Sequence, residues 1–434
     1  MQDMTITAVK ARQIFDSRAN PTVEVEVTLA CGATGRGMVP SGASTGAFEA
    51  LELRDTDRPE VLGGKGVRTA IRNVEEILAP FLIGRQADRQ TELDRGMIAL
   101  DGTPNKSRLG ANAILGCSMA VAYAAAAAKG EPLYRYLGGV QASILPVPMI
   151  QIIGGGAHAA GAIDIQDFLV IPMSAPSFEQ GFAMVVDVYN ATKKVFRKYG
   201  KPLAIADEGG FWPTDFKSNE EGLALLLEGI ALAGYRPMED IAIALDIASS
   251  EFYDEASEEY VFALENKRMS REEFVDLLCS WVDKYPIISI EDGCSELDWK
   301  GHALLTEKLG GRIQLIGDDL FTTNLERIRK GVAMHACNSV LIKMNQIGTM
   351  TETLEAIELT KNSGYLPVIS ARSGETEDAT IVHLALATNA GQLKVGSVAR
   401  SERAAKWNEA IRIEQALGAD ADYPGGAVFS RFLR

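Results

Sequence analysis

Paired cysteines are missing from this chain. Its five cysteines, Cys31, Cys117, Cys279, Cys294 and Cys337, are odd in number and scattered, and no two have the spacing of metal ligands. That pattern argues against a disulfide scaffold and a cysteine-built metal site, and it fits free thiols in a reducing cytoplasm. Basic charge is also in short supply. Lys and Arg number 43 against 58 Asp and Glu, a net charge of −15. A nucleic acid is therefore not an expected partner, because binding a phosphate backbone needs a basic surface. A small anionic substrate stays open, since a local cluster of cations or a metal overrides the global balance. No apolar run reaches the ~18 residues of a membrane span. The start, Met1-Gln-Asp-Met-Thr-Ile-Thr, shows no basic stretch leading into an apolar one, so no secretory signal is visible. The expectation is a cytoplasmic protein that engages neither membrane nor nucleic acid.

What is present is ordinary globular material: 47% apolar and 23% charged residues. At 434 residues the chain exceeds one average domain, and two are expected. Residues 5–14, 22–29 and 33–39 alternate or run as strands of a meander. Pro40-Ser41-Gly-Ala-Ser44-Thr45-Gly46 follows, a loop of small residues that is either mobile or approaches a ligand with its backbone. From Val67 to Leu137 the pattern is helical, and glycine after Leu137 ends it. The expected division is an α+β N-terminal capping domain over 1–140 and a (β/α)8 barrel over 141–434.

The barrel expectation rests on a repeated pattern. Ile241–Asp246, Ile287–Asp292, Ile313–Asp319 and Ser339–Lys343 are short β-branched apolar runs, each closing on a charged residue, with helical segments between them. Val147–Ile153, Ile163–Pro172, Leu203–Gly210, Leu366–Gly374 and Gln392–Gly396 supply the further strands. The alternation reads as βα units around a parallel sheet, and strand C-termini are where a barrel does its chemistry.

Asp246, Glu291 and Asp318 are then three oxygen ligands on successive strand ends, with no His or Cys among them. That set suits a hard cation such as Mg²⁺. Lys343, on the next strand, is the candidate base; neighbouring cations should lower its pKa, although an ion pair with one of the acids is the alternative. Glu208 faces it as the candidate acid. Arg372 with Ser373 can grip a phosphate or phosphonate at two oxygens, and Lys394 suits a substrate carboxylate. The implied reaction removes the proton beside a carboxylate, stabilises an enediolate on Mg²⁺ and expels a hydroxyl from the other face.

At this point the chain resembles the enolase family along essentially its whole length. The matching stretches are Asp16-Ser-Arg with Asn20-Pro-Thr-Val-Glu-Val-Glu, Val39-Pro-Ser-Gly-Ala-Ser-Thr-Gly, Asp207-Glu-Gly-Gly-Phe, Ser289-Ile-Glu-Asp-Gly, Gly317-Asp-Asp-Leu, Lys343 with Asn345-Gln-Ile-Gly-Thr, Arg372-Ser-Gly-Glu-Thr-Glu-Asp and Arg400-Ser-Glu-Arg. The resemblance implies Asp246, Glu291 and Asp318 around a first Mg²⁺, Ser44 on a second, Lys343 as base, Glu208 as acid, and His158 from a closing loop. It also implies a homodimer or homo-octamer.

Three positions depart from the family pattern. Ala371 stands where the family motif has His, Asp167 where it has Glu, and Gly154 where it has Asn. All three shorten a side chain beside the substrate, so an enlarged pocket is expected. The substrate this suggests is a bulkier analogue of 2-phosphoglycerate. Carboxyphosphonoenolpyruvate synthases of phosphonate antibiotic pathways are similar in this respect, and the expected reaction is 2-phosphonoformylglycerate to carboxyphosphonoenolpyruvate. The alternatives are an ordinary phosphopyruvate hydratase and a non-catalytic binding protein on the same scaffold.

Overall fold

A computed structural model describes residues 2–43 and 46–433. The N-terminal layer is an antiparallel meander of β1 (Ile6–Phe15), β2 (Pro21–Leu29) and β3 (Thr34–Met38), as the alternation predicts. The helix Ala111–Lys129 lies against it. Close approach is possible because both surfaces are small: a Cβ added at Gly35 would stand 2.1 Å from the Ala124 nitrogen, and one at Gly37 2.6 Å from Met119 Cβ. By length and composition this helix could cross a membrane, although no uninterrupted apolar run marks it. Its most apolar stretch is 89% buried inside the protein, so its hydrophobicity is used by the core.

Among the described residues, eight strands close a barrel: β4 (Val147–Gly154), β5 (Asp167–Pro172), β6 (Ile241–Asp246), β10 (Ile287–Glu291), β11 (Gln314–Gly317), β12 (Ser339–Ile342), β13 (Leu366–Ser370) and β14 (Gln392–Gly396). A small meander, β7 (Tyr253–Asp254), β8 (Glu259–Phe262) and β9 (Lys267–Met269), follows β6 outside the barrel. Serine caps set the starts of the outer helices. Ser177 opens Phe178–Lys198, Ser218 opens Asn219–Leu232, and Ser270 opens Arg271–Lys284 through a full capping box with Glu273. Each such cap contributes about 1 kcal/mol.

Two expectations need correction. The barrel is not wholly parallel, because β5 runs antiparallel to both β4 and β6. Between β4 and β5 only a 3₁₀ turn, Gly156–Ala159, intervenes. Without a helical crossover the chain can only fold back as a hairpin. Consequently Asp167, the first residue of β5, lands at the same rim as the last residues of its neighbours, opposite Gly154 and Asp246. The second correction concerns Leu203–Gly210, which is not a barrel strand. It folds back on itself, with Ala206 N donating to Gly210 O at 2.8 Å and Gly209 N to Ala206 O at 3.0 Å, and Gly209 takes φ +98. This turn carries Glu208 to the rim.

Candidate active site

The rim collects the acids in one row. Asp246 closes β6 and pairs in register with Glu291 at the end of β10, and Asp318 follows β11 directly. All three are buried. Two lysines brace them. Lys394, on β14, places Nζ 2.7 Å from Asp246 Oδ2, 2.8 Å from Glu291 Oε2 and 3.7 Å from Asp167 Oδ2. Lys343, just after β12, pairs with Asp318 Oδ2. The expected lowering of Lys343 is therefore reversed: burial works against its ammonium, but Asp318 beside it prevails and holds the pKa above the ordinary lysine range. Lys394, expected to face a substrate carboxylate, is engaged by the acids instead. Burial disfavours its charge, yet Asp246 and Glu291 drive its pKa well up.

The acids fit a hard divalent cation. Glu291 Oε1 is buried without a hydrogen-bond partner, and burial together with Asp246 pushes the Glu291 carboxyl well above its ordinary range. A carboxylate row so short of positive charge, built only of oxygen donors, suits Mg²⁺. Neighbouring amides orient it. Gln166 Nε2 donates to Asp246 Oδ2 at 3.2 Å, and Gln346 Nε2 to Asp318 Oδ1 at 2.8 Å. Asp292 also sits close to Asp318 and Asp319. Its two oxygens accept the backbone N–H groups of those residues at 2.9 and 2.8 Å, so it braces the turn. Burial and Asp318 push its carboxyl up to about 8.

The opposite wall holds His158, Asp167 and Glu208. His158 Nδ1 lies 3.0 Å from Asp167 Oδ1, and Nε2 lies 3.8 Å from Glu208 Oε1. Burial lowers the imidazole's affinity for a proton, but the two carboxylates outweigh it and raise the pKa to about 9. Asp167 is driven down, against its own burial, by the same imidazole. Despite its shorter side chain, Asp167 reaches His158. The Gly154 position is not open space either: a Cβ there would meet Ala206 Cβ at 2.8 Å and Gln151 Nε2 at 2.9 Å. Of the three shortened positions, Ala371 and Asp167 line the cleft, alongside Glu208, Lys343 and Arg372.

The side expected to hold the substrate anion is built across the two layers. Arg372 donates to Glu49 Oε2 and to Asn345 Oδ1, both at 2.9 Å, and to Glu49 Oε1 at 3.1 Å. Ser373 Oγ accepts from Ala43 N at 2.7 Å. Ser44, expected on a second ion, lies outside the described residues. Glu49, Gln151, Gln346 and Arg403 were missed in the sequence. Arg403 is fully buried and donates to the carbonyls of Arg372 and Ser373. The Arg400-Ser-Glu-Arg stretch was the signal that could have found it.

Comparison with known proteins agrees with this geometry. Residues 6–137 match the enolase N-terminal domain and residues 142–431 the enolase C-terminal TIM barrel domain. Enolase 1 of Desulfitobacterium hafniense (strain Y51) is 67% identical over 430 residues, covering 99% of this chain and 98% of that protein. The chain belongs to the enolase family, a family of hydro-lyases.

Proposed function

We propose that this protein is a phosphopyruvate hydratase, dehydrating 2-phosphoglycerate to phosphoenolpyruvate. The observation that carries the proposal is the pairing of Lys343 and Glu208 on one enclosed cleft, with the carboxylate row beside them. The near full-length identity to a relative named simply Enolase 1 supports the same substrate. The phosphonate substrate drawn from the sequence receives no such support, and two of the three shortened positions on which it rested are filled.

In this reading Arg372 and Ser373 hold the phosphate and Lys394 turns to the carboxylate. Lys343, as a free amine, takes the C2 proton. Glu208 gives a proton to the C3 hydroxyl, which departs as water while the C2–C3 double bond forms. His158, between Asp167 and Glu208, keeps that wall protonated and in place. A bound Mg²⁺, held by Asp246, Glu291 and Asp318, would take over the carboxylate charge that now holds both lysines as ammonium ions and would stabilise the dianion. A second ion through Ser44 and a homodimeric or homo-octameric assembly belong to the same proposal. The test is phosphoenolpyruvate formation from 2-phosphoglycerate in Mg²⁺ buffer; no product at any enzyme concentration sinks it.

A further inference from the structure

We propose that Gln151 is a positioning residue for the acid wall, and that its length and that of Asp167 are matched as one unit. The inference rests on the proposed dehydratase reading only in its kinetic test. Gln151 lies on β4 and is fully buried. Its Nε2 donates to Asp167 Oδ1 and lies 3.5 Å from His158 Nδ1. Its Oε1 accepts the Gly210 N–H at 2.9 Å. One amide therefore ties together the strand bearing Asp167, the loop bearing His158 and the turn bearing Glu208.

The surroundings are cut to that amide. A Cβ at Gly154 would stand 2.9 Å from its Nε2 and 3.1 Å from its Cδ, and a Cβ at Gly210 would stand 2.5 Å from its Oε1. Glycine at both positions leaves room for a side chain of this length. Asp167 is the complement: its short carboxyl stops where the amide begins. Removing the amide would leave a buried carboxylate oxygen and a buried backbone N–H without this partner. Gln151 touches no reacting atom, so its effect passes through Asp167 and His158. A longer carboxylate at 167 would collide with the amide, and a shorter amide at 151 would fall short of the carboxylate. Either change displaces His158 and Glu208, while both together restore the contact.

The experiment is a double-mutant cycle of Gln151→Asn and Asp167→Glu, with kcat and KM for 2-phosphoglycerate and the melting temperature of each variant. Each single change should lower kcat roughly 10²-fold with KM nearly unchanged, as a misplaced group of about 1 Å does, and should lower the melting temperature. The double variant should recover both. Gln151→Glu keeps the length and the Gly210 acceptor but replaces the donor by a second carboxylate against Asp167; it should lose kcat even if Gln151→Asn folds poorly. Singles with undiminished kcat, or a double variant whose loss is the product of the singles, overturn the inference. A wild type silent on 2-phosphoglycerate sinks the proposed function instead, and the cycle is then decided by the melting temperatures alone: recovery in the double variant upholds the matched pair, and additive losses refute it.

Discussion

Arg372 and Glu49 form a two-point ion pair across the junction of the N-terminal layer and the barrel, Nη1 to Oε2 at 2.9 Å and Nη2 to Oε1 at 3.1 Å. Both groups are buried at the side chain. In the proposed function the carboxylate of Glu49 occupies the fork that a substrate phosphate would take, and phosphate would have to displace it. Glu49→Gln should lower KM for 2-phosphoglycerate several-fold and let inorganic phosphate inhibit at lower concentration. Steady-state kinetics and phosphate titration check this. A raised KM would mean that Glu49 shapes the phosphate site instead of competing for it.

Metal removal should separate activity from folding. Asp246, Glu291 and Asp318 share two ammonium groups, those of Lys394 and Lys343, so most of the row's buried charge is paired by the protein's own side chains. A chelator should abolish turnover, leave the circular dichroism spectrum intact, and lower the melting temperature only modestly. Unfolding on chelation would contradict the bracing role of the lysines.

The shortened positions give a graded prediction. Ala371→His restores the ring that the family motif carries at this cleft-lining position, and it should raise turnover of 2-phosphoglycerate, on the order of the 10²-fold a proton-transfer group supplies. Adding Gly154→Asn should abolish that gain, because its Cβ meets Ala206 and Gln151. Equal activity of the single and double variants would contradict the filled site at 154.

Acid stability should depend on His302. Burial lowers its pKa to about 4, against 6.5 ordinarily, and its Nδ1 lies 3.4 Å from Cys337 Sγ. Above pH 6.5 the ring is neutral in both folded and unfolded chains. As pH falls from 6.5 towards 4 only the unfolded chain gains the proton, so stability is lost across that window. Between pH 7 and pH 5 the loss due to this residue should be roughly 2 kcal/mol. Urea unfolding of wild type and His302→Leu at the two pH values measures it as the difference in slope; parallel behaviour would refute it.

The strand-end row was legible because it is a one-dimensional signal: a buried run closing on a charged residue needs no partner to be recognised. Asp246, Glu291, Asp318 and Lys343 meet at the rim for that reason. The direction of β5 was not legible, since periodicity does not record which way a strand points. What decides it is the missing helix between Gly154 and Asp167. Leu203–Gly210 misled because an apolar run ending in acids and glycines fits a turn as well as a strand. The enlarged pocket failed for a related cause. Side-chain lengths at Asp167 and Gly154 say nothing without Gln151, whose amide bonds Asp167 on the neighbouring strand and fills the space beside Gly154 on its own. Lys343 moved opposite to expectation because its nearest charge is the Asp318 carboxylate, not a cation.

The central claim is dehydration of 2-phosphoglycerate with Lys343 as base, and its most direct test is the rate of phosphoenolpyruvate formation by wild type and Lys343→Ala in Mg²⁺ buffer, with 2-phosphonoformylglycerate assayed beside it. The account predicts rapid turnover of 2-phosphoglycerate by wild type, a fall of at least roughly 10²–10⁴-fold in Lys343→Ala, and slower turnover of the phosphonate. Preference for the phosphonate, or undiminished activity without Lys343, would contradict it.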